Sequence, residues 1–175
     1  MALCLAESLL QKRDFDAVDQ LERYLSWWTT GYLSSTGLCF DMRLTVRQAL
    51  ADFQRNGDPY AGSTDRYSAG NGSIMRLAPV VNQTFLAASS RTTHTAPEAE
   101  CCLVLSKVIA NALRGVAKTQ VLQLDSADLI EPKVIVIAQG NYRKKVRADI
   151  VGSGYSVASL EAAPWCFHHS LPMPY

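Results

Sequence analysis

Residues 57–80 hold the densest group of residue types suited to binding an anion. The segment reads GDPYAGSTDRYSAGNGSIMRLAPV, in which Gly70 and Gly72 flank Asn71 and Ser73 follows directly. Glycines let the backbone approach a ligand closely, and successive amides ahead of a helix N-terminus can hold a phosphate. Residues 70–73 therefore form a candidate site for a pyrophosphate. A capped turn without a ligand is the competing interpretation, because no lysine follows the glycines and one Gly-x-Gly is a weak signal.

Two further polar positions lie on either side of this segment. His94 ends the run SSRTTH, where an imidazole can donate to a phosphate or a hydroxyl of a ligand. A loop histidine bonded to nearby backbone is the alternative. Asp41 follows Cys39 and Phe40 just before a predicted helix, where the ordinary role of an aspartate is helix capping. The residues alone leave both interpretations open at each position.

The elements that must position these residues are predicted to be helices. Apolar side chains recur at helical spacing over residues 3–10, 15–28 and 46–53. Asp14 or Asp16 can cap the second of these helices, and Asn56 with Gly57 can end the third. The sequence therefore predicts three helices, over residues 3–10, 15–28 and 46–53. A long loop over residues 57–73 follows them and carries the candidate anion site.

The second half of the chain is also predicted to be mainly helical. Thr95 and Glu98 have the spacing of a capping box, and one apolar face follows over residues 102–113. Residues 134–137 read VIVI and are the only place where we would accept a strand. A helix is expected over residues 157–167, with Pro164 breaking or kinking it.

Composition bounds the class of protein. The chain has 175 residues, 48% hydrophobic and 19% charged, which suits a single globular domain over residues 1–175. A net charge of +1 gives no basic surface for nucleic acid or for an anionic membrane, and no apolar stretch approaches the roughly 18–20 residues of a membrane span. The five cysteines are odd in number and lack CxxC spacing, which favours reduced thiols in the cytoplasm.

Four stretches, taken together and in order, resemble the signature segments of the ADP-ribosylglycohydrolase family. These are residues 28–50, 57–80, 89–99 and 154–167, and the most specific motifs within them are SAGNGSIMRLAPV at 68–80 and RTTHTAPEA at 91–99. Within the family, the motifs are similar to those of bacterial dinitrogenase reductase-activating glycohydrolases. The resemblance implies an all-α, orthogonal helical bundle that hydrolyses the glycosidic bond between ADP-ribose and a protein side chain. The implied partner is ADP-ribose or an ADP-ribosylated protein.

The resemblance also implies roles for individual residues. It implies that two Mg²⁺ or Mn²⁺ ions orient the ribose and activate water in the family. Asp41 falls on an aspartate that faces the scissile linkage, as an acid, a base or a carboxylate that orients a guanidinium. Arg76 is expected to brace the loop. The residues implied to contact the diphosphate, the ribose or another part of the substrate are Ser68, Gly70, Asn71, Gly72, Ser73 and His94.

The chain departs from the family pattern at both ends. The Thr-Asp-Asp-Thr metal motif that the family places just before Met1 is absent, and residues 168–175 diverge where an Asp-x-Asp-Thr motif should follow. Arg43 stands where the family prefers glycine. We therefore expect a bundle truncated at both ends, which does not bind the two metal ions and is inactive as an isolated chain. The alternative is a non-catalytic remnant or an ADP-ribose-binding module.

Overall fold

The computed structural model describes residues 1–80 and 95–170, and within these ranges it forms helices and no strand. The all-α prediction is confirmed. None of the described helices has both the length and the apolar content needed to cross a bilayer. The α-helices of the described ranges are α1 (Ala2–Lys12), α2 (Ala17–Thr30), α3 (Leu44–Asn56), α4 (Gly72–Met75), α5 (Ala96–Leu113), α6 (Lys118–Val121), α7 (Pro132–Ala138) and α8 (Ser156–His169). Short 3-10 turns lie at Arg66–Ser68, Ala78–Val80, Asn141–Lys144 and Arg147–Asp149.

Helix ends follow the capping signals in the sequence. The Asp16 carboxylate accepts a hydrogen bond of 3.0 Å from the Asp19 amide and so caps α2. Thr95 Oγ1 accepts from the Glu98 amide at 3.3 Å at the start of α5. Gly57 ends α3 with φ of 71°, a left-handed conformation that glycine adopts without steric cost. These three predicted helix boundaries are confirmed.

The structure decides two points that the sequence left open in the second half. Residues 134–137 form part of helix α7 rather than a strand, with Pro132 in its first turn. Val134 and Ile137 are three residues apart and buried, whereas Val136 is 40% exposed, so this β-branched run has one buried helical face. Pro164 does not end α8, which continues to His169. Packing of Leu160 in the core and a 2.9 Å bond from Trp165 Nε1 to the Lys145 carbonyl hold the helix around it.

The buried apolar side chains form two clusters. The first cluster joins α1, α2 and α3 with the end of the long loop, and its members are Cys4, Leu5, Leu21, Tyr24, Trp27, Val46, Leu50, Phe53 and Val80. The second cluster joins α5 to α8, and its members are Cys101, Val104, Val121, Leu122, Leu129, Val134, Ile137, Ala138, Tyr142, Val157 and Leu160. None of the five cysteines, all of which are described, forms a disulfide.

The loop that carries the candidate anion site lies between the two clusters. Val80, just beyond the loop, packs in the first cluster, and Ile74 packs against the second. An antiparallel bridge pairs Gly70 with Tyr155, and the Asn71 amide donates to the Gly154 carbonyl at 2.8 Å. The start of α8 therefore fixes the loop from a position more than eighty residues further along the chain.

Candidate functional site

A cleft of about 220 Å³ opens where α1, α3, α4 and α5 meet. Its wall includes Met1, Asp41, Arg43 and Arg76, and two glycines of the loop, Gly70 and Gly72, also line it. These residues come from distant parts of the chain. The fold therefore gathers three of the candidate residues, Asp41, Gly70 and Gly72, around one concave surface, as a ligand site requires.

Cationic groups line this cleft. Arg76 is buried, with its guanidinium 5.4 Å from the centre of the Tyr24 ring. Arg43 precedes α3, and its guanidinium covers Gly154 so closely that a side chain at Gly154 would clash with it. The Met1 amino group lies at the same cleft, and partial burial lowers its pKa below the ordinary value. Together these groups favour an anionic ligand.

A buried carboxyl group also lies in the wall of the cleft. Glu98, in the first turn of α5, is 0% exposed and accepts a hydrogen bond from the hydroxyl of Ser73. Burial raises the pKa of Glu98 to about 7, although the Ser73 hydrogen bond and the Arg76 charge both act in the opposite direction. The cleft therefore contains an acid that changes its charge near neutral pH.

Asp41 lies at the mouth of the cleft and does not cap a helix. Its side chain is exposed, and its backbone has φ of 51°. The N-cap position of α3 belongs to Arg43, which makes no side-chain capping bond. The capping interpretation of Asp41 was therefore wrong. A role opposite the scissile linkage stays a prediction.

The predicted loop residues divide between the cleft and its support. Gly70 and Gly72 line the cleft, and a Cβ at Gly72 would lie 3.0 Å from Arg76 Nη1, so a larger residue there would require the arginine side chain to shift. Ser73 is fully buried against Glu98. The Gly70 amide donates to the Ser68 carbonyl at 2.7 Å, and the Asn71 amide is also bonded within the chain. These two amides are thus already used in holding the loop together.

The other predicted contact residues do not line the cleft in the described part of the chain. Asn71 turns its side-chain amide away, towards Ser159 Oγ at 3.0 Å and the Ser153 carbonyl at 3.4 Å. Ser68 borders a separate shallow depression beside α3. His94 lies outside the described residues. Ligand contacts by these three residues therefore stay predictions.

Comparison with known proteins decides the family. A sequence model described as ADP-ribosylglycohydrolase matches residues 1–173. This chain belongs to the ADP-ribosylglycohydrolase family. It is 37% identical to the ADP-ribosylarginine hydrolase Tri1 of Pseudomonas putida (strain GB-1), over 97% of this chain and 48% of that protein. Identity to the ADP-ribosylarginine hydrolase Tri1 of Serratia proteamaculans (strain 568) is 34%, over 94% of this chain and 48% of that protein.

A solved structure agrees with this assignment. The structure, an ADP-ribosylglycohydrolase-related protein complex, superimposes with a TM-score of 0.76 and 38% identity, and covers 96% of this chain and 57% of the solved one. The resemblance inferred from the sequence motifs is confirmed, and so is the helical fold. This member of the family spans about half the length of the curated relatives it matches.

The described residues of this ADP-ribosylglycohydrolase chain do not fit a dinuclear magnesium or manganese centre by themselves. Of the described carboxyl groups, those of Asp41 and Glu98 line the cleft. No group of three His, Cys, Asp or Glu side chains converges anywhere in residues 1–80 and 95–170. Two hard divalent ions each require several oxygen ligands, more than these two carboxyl groups can offer.

Two residues of this chain, Arg43 and Glu98, were not identified from the sequence as candidates for the functional site. Arg43 was noted only as a departure from glycine, yet it adds a cation to the cleft wall. Glu98 was interpreted only as part of a capping box, yet its carboxyl group bonds to Ser73 rather than to the backbone of its own helix. The departure from the glycine that the family resemblance implies was the one available signal for Arg43. No local signal marks the contact between Glu98 and Ser73.

Proposed function

We propose that this chain binds the ADP-ribose group of an ADP-ribosylated protein, with arginine as the modified side chain, in the cleft between α1, α3, α4 and α5. The observation that carries the proposal is the convergence of Asp41, Arg43, Gly70 and Arg76 on one cleft of about 220 Å³. The names of the relatives from Pseudomonas putida and Serratia proteamaculans support arginine as the linked residue.

The charges of the cleft suit such a ligand. Arg43 and Arg76 supply cations for a diphosphate, which an arginine can bind with charge-assisted hydrogen bonds. Asp41 is exposed at the mouth, where a carboxylate can pair with the guanidinium of the modified arginine. Gly70 and Gly72 leave the loop without side chains at the cleft. The ligand would therefore lie with its diphosphate beside the arginines and its linkage towards Asp41.

Binding without turnover is the second part of the proposal. Hydrolysis of a glycosidic linkage needs a positioned acid or base, and the family reaction also uses a pair of divalent ions. The described residues bring two carboxyl groups to the cleft, which does not suffice for that ion pair. We therefore propose that this chain by itself binds ADP-ribose, and that hydrolysis requires residues from the half of the curated relatives that it does not match.

A chimeric hydrolase tests this function directly. The sequence of this chain replaces the matching half of the Pseudomonas putida relative, and release of ADP-ribose from ADP-ribosylated arginine is measured with Mg²⁺ or Mn²⁺. We expect turnover by the chimera and none by the chain alone. In the chimera, Asp41→Asn should lower turnover by roughly 10-fold or more, since a charge-assisted hydrogen bond to the guanidinium contributes about 1.5–3 kcal/mol.

A matched control uses another carboxylate of the same half. Asp58 accepts a hydrogen bond from the Tyr60 amide at 2.8 Å, outside the cleft, and the amide oxygen introduced by Asp58→Asn can still accept it. This variant of the chimera should keep its turnover. Chelator-sensitive hydrolysis by the isolated chain would overturn the proposal that it binds without turnover.

A further inference from the structure

Glu98 has one carboxyl oxygen that lacks a hydrogen-bond partner within the described residues. Oε1 accepts from the Ser73 hydroxyl, whereas Oε2 is buried without a partner there, although the residue lines the cleft. Ser73 lies in the first turn of α4, directly after Gly72. Glu98 therefore contacts the loop of residues 57–73 through Ser73. Its carboxyl group is available for this contact because Thr95 caps the helix α5.

A buried carboxyl with an unsatisfied oxygen is more stable as the neutral acid, because ionisation would leave a charge without compensating donors. Consistent with this geometry, burial raises the pKa of Glu98 to about 7. Ionisation would also place a negative charge next to the loop where the diphosphate is proposed to bind. The charge of Glu98 and the charge of the ligand are therefore in conflict above neutral pH.

Other titratable or charged groups lie near Glu98 or the cleft, and each must be considered as a source of pH dependence near neutral pH. Arg76 approaches from the end of α4, and its positive charge acts on Glu98. Cys101, one turn further along α5, stays neutral because burial raises its pKa to about 12. Met1 also lines the cleft, and burial lowers the pKa of its amino group. His94, outside the described residues, also titrates near neutral pH by its residue type.

We propose that Glu98 is a positioning residue for the loop of residues 57–73: its carboxyl oxygen accepts from Ser73 and holds it in place, and its protonated form keeps the cleft floor free of negative charge. This inference rests on the proposed binding of ADP-ribose. It assigns a role through the loop, not through contact with the reacting atoms. ADP-ribose affinity should accordingly fall as the pH rises through about 7.

Calorimetric titration of ADP-ribose at pH 6 and pH 8.5 tests the role of Glu98. The unmodified chain should bind about tenfold more weakly at pH 8.5, as expected for one added like charge near the diphosphate. Glu98→Gln, which mimics the neutral acid, should bind equally at both pH values. If Glu98→Gln keeps the full loss of affinity, Met1 or His94 carries the pH dependence and the proposal is overturned.

Two more variants test the role of Glu98 without relying on Glu98→Gln alone. The hydrogen bond from Ser73 stabilises the ionised form of Glu98. Ser73→Ala removes this bond and raises the pKa of Glu98, so the midpoint of the affinity change should move to higher pH. Glu100→Gln is the matched control on the same helix, since its one remaining oxygen can take the place of Oε1, which accepts from both the Ile130 and the Glu131 amides, and only the bond to Oε2 is lost. Its pH profile should equal that of the unmodified chain. A Ser73→Ala profile identical to that of the unmodified chain would contradict the coupling.

A ligand-free measurement separates this inference from the proposed function. If the unmodified chain binds no ADP-ribose at either pH, the proposed function fails, and the amide resonance of Ser73 decides the role of Glu98. That resonance should titrate with a midpoint near 7 in the unmodified chain and should not titrate in Glu98→Gln. A Ser73 resonance that is constant between pH 5 and 8.5 would overturn the inference.

Discussion

At the scale of single residues, Glu98 shows what local spacing predicts and what it does not. The capping box was half correct, because Thr95 accepts from the Glu98 amide as the spacing indicated. The Glu98 carboxyl does not reach back to the start of its helix but bonds to Ser73, twenty-five residues earlier in the chain. Tertiary packing chose this partner, and no pattern within a few residues of Glu98 encodes it.

The raised pKa of Glu98 predicts a pH dependence of stability. The pKa of Glu98 is about 7 in the folded chain, compared with 4.5 in an ordinary glutamate. The contribution of Glu98 to the free energy of unfolding is therefore fully present below pH 4.5 and is lost as the pH rises through about 7. The difference corresponds to roughly 3 kcal/mol at most. In urea denaturation, Glu98→Gln should match the unmodified chain near pH 5 and exceed its free energy of unfolding at pH 8.

Comparing the unmodified chain with Glu98→Gln isolates the contribution of Glu98 to the pH dependence of stability. Asp16 and Asp19 have lowered pKa values, through hydrogen bonds from the Asp19 amide and from Arg23 respectively, so their effect lies at more acidic pH and is common to both chains. Parallel stability curves from pH 5 to pH 8 would show that Glu98 is ionised at neutral pH in the folded protein.

At the scale of elements, helix boundaries followed from the sequence wherever a polar side chain or a glycine determined them. Asp16, Thr95 and Gly57 act within a few residues of their own positions, so their roles are encoded locally. Residues 134–137 differ, because their β-branched side chains suit a strand but their burial against α5 and α8 selects a helix. Tertiary contacts likewise keep α8 continuous past Pro164.

The cap of α5 gives a prediction for this scale. Thr95→Ala removes the oxygen that accepts from the Glu98 amide, and should lower the free energy of unfolding by about 1 kcal/mol. Thr95→Ser keeps that oxygen and loses only a methyl group, so it serves as the matched control with a smaller loss. Urea denaturation of both variants checks the effect. An equal loss in the two variants would assign the effect to packing of the buried methyl rather than to capping.

At the scale of the whole molecule, the candidate cleft depends on how two apolar clusters are placed together. The first half of the chain supplies Asp41, Arg43 and Arg76, but the loop is fixed by its bridge to the start of α8. The motifs of the sequence predicted that these segments share one site. They did not predict that Asn71 faces Ser159 instead of the cleft, since that contact depends on the long-range docking of α8.

The two clusters predict how core substitutions combine. Leu50 belongs to the cluster of α1 to α3 and Leu160 to the cluster of α5 to α8, and both are buried. Leu50→Ala and Leu160→Ala should each cost about 2–5 kcal/mol, as large-to-small core substitutions do. Because the two residues lie in separate clusters, their costs in the double variant should add within about 0.5 kcal/mol, measured by urea denaturation. A larger deviation would show that the clusters form one coupled core.

The central claim is that the cleft of this ADP-ribosylglycohydrolase-family chain binds ADP-ribose, and calorimetry at pH 6 tests it most directly. The account predicts a saturable heat that fits one site per chain, because the cleft combines Arg43 and Arg76 with a neutral Glu98 at that pH. The same sample should show the far-ultraviolet circular dichroism of a helical protein. A helical sample that gives no binding heat with ADP-ribose would contradict the account.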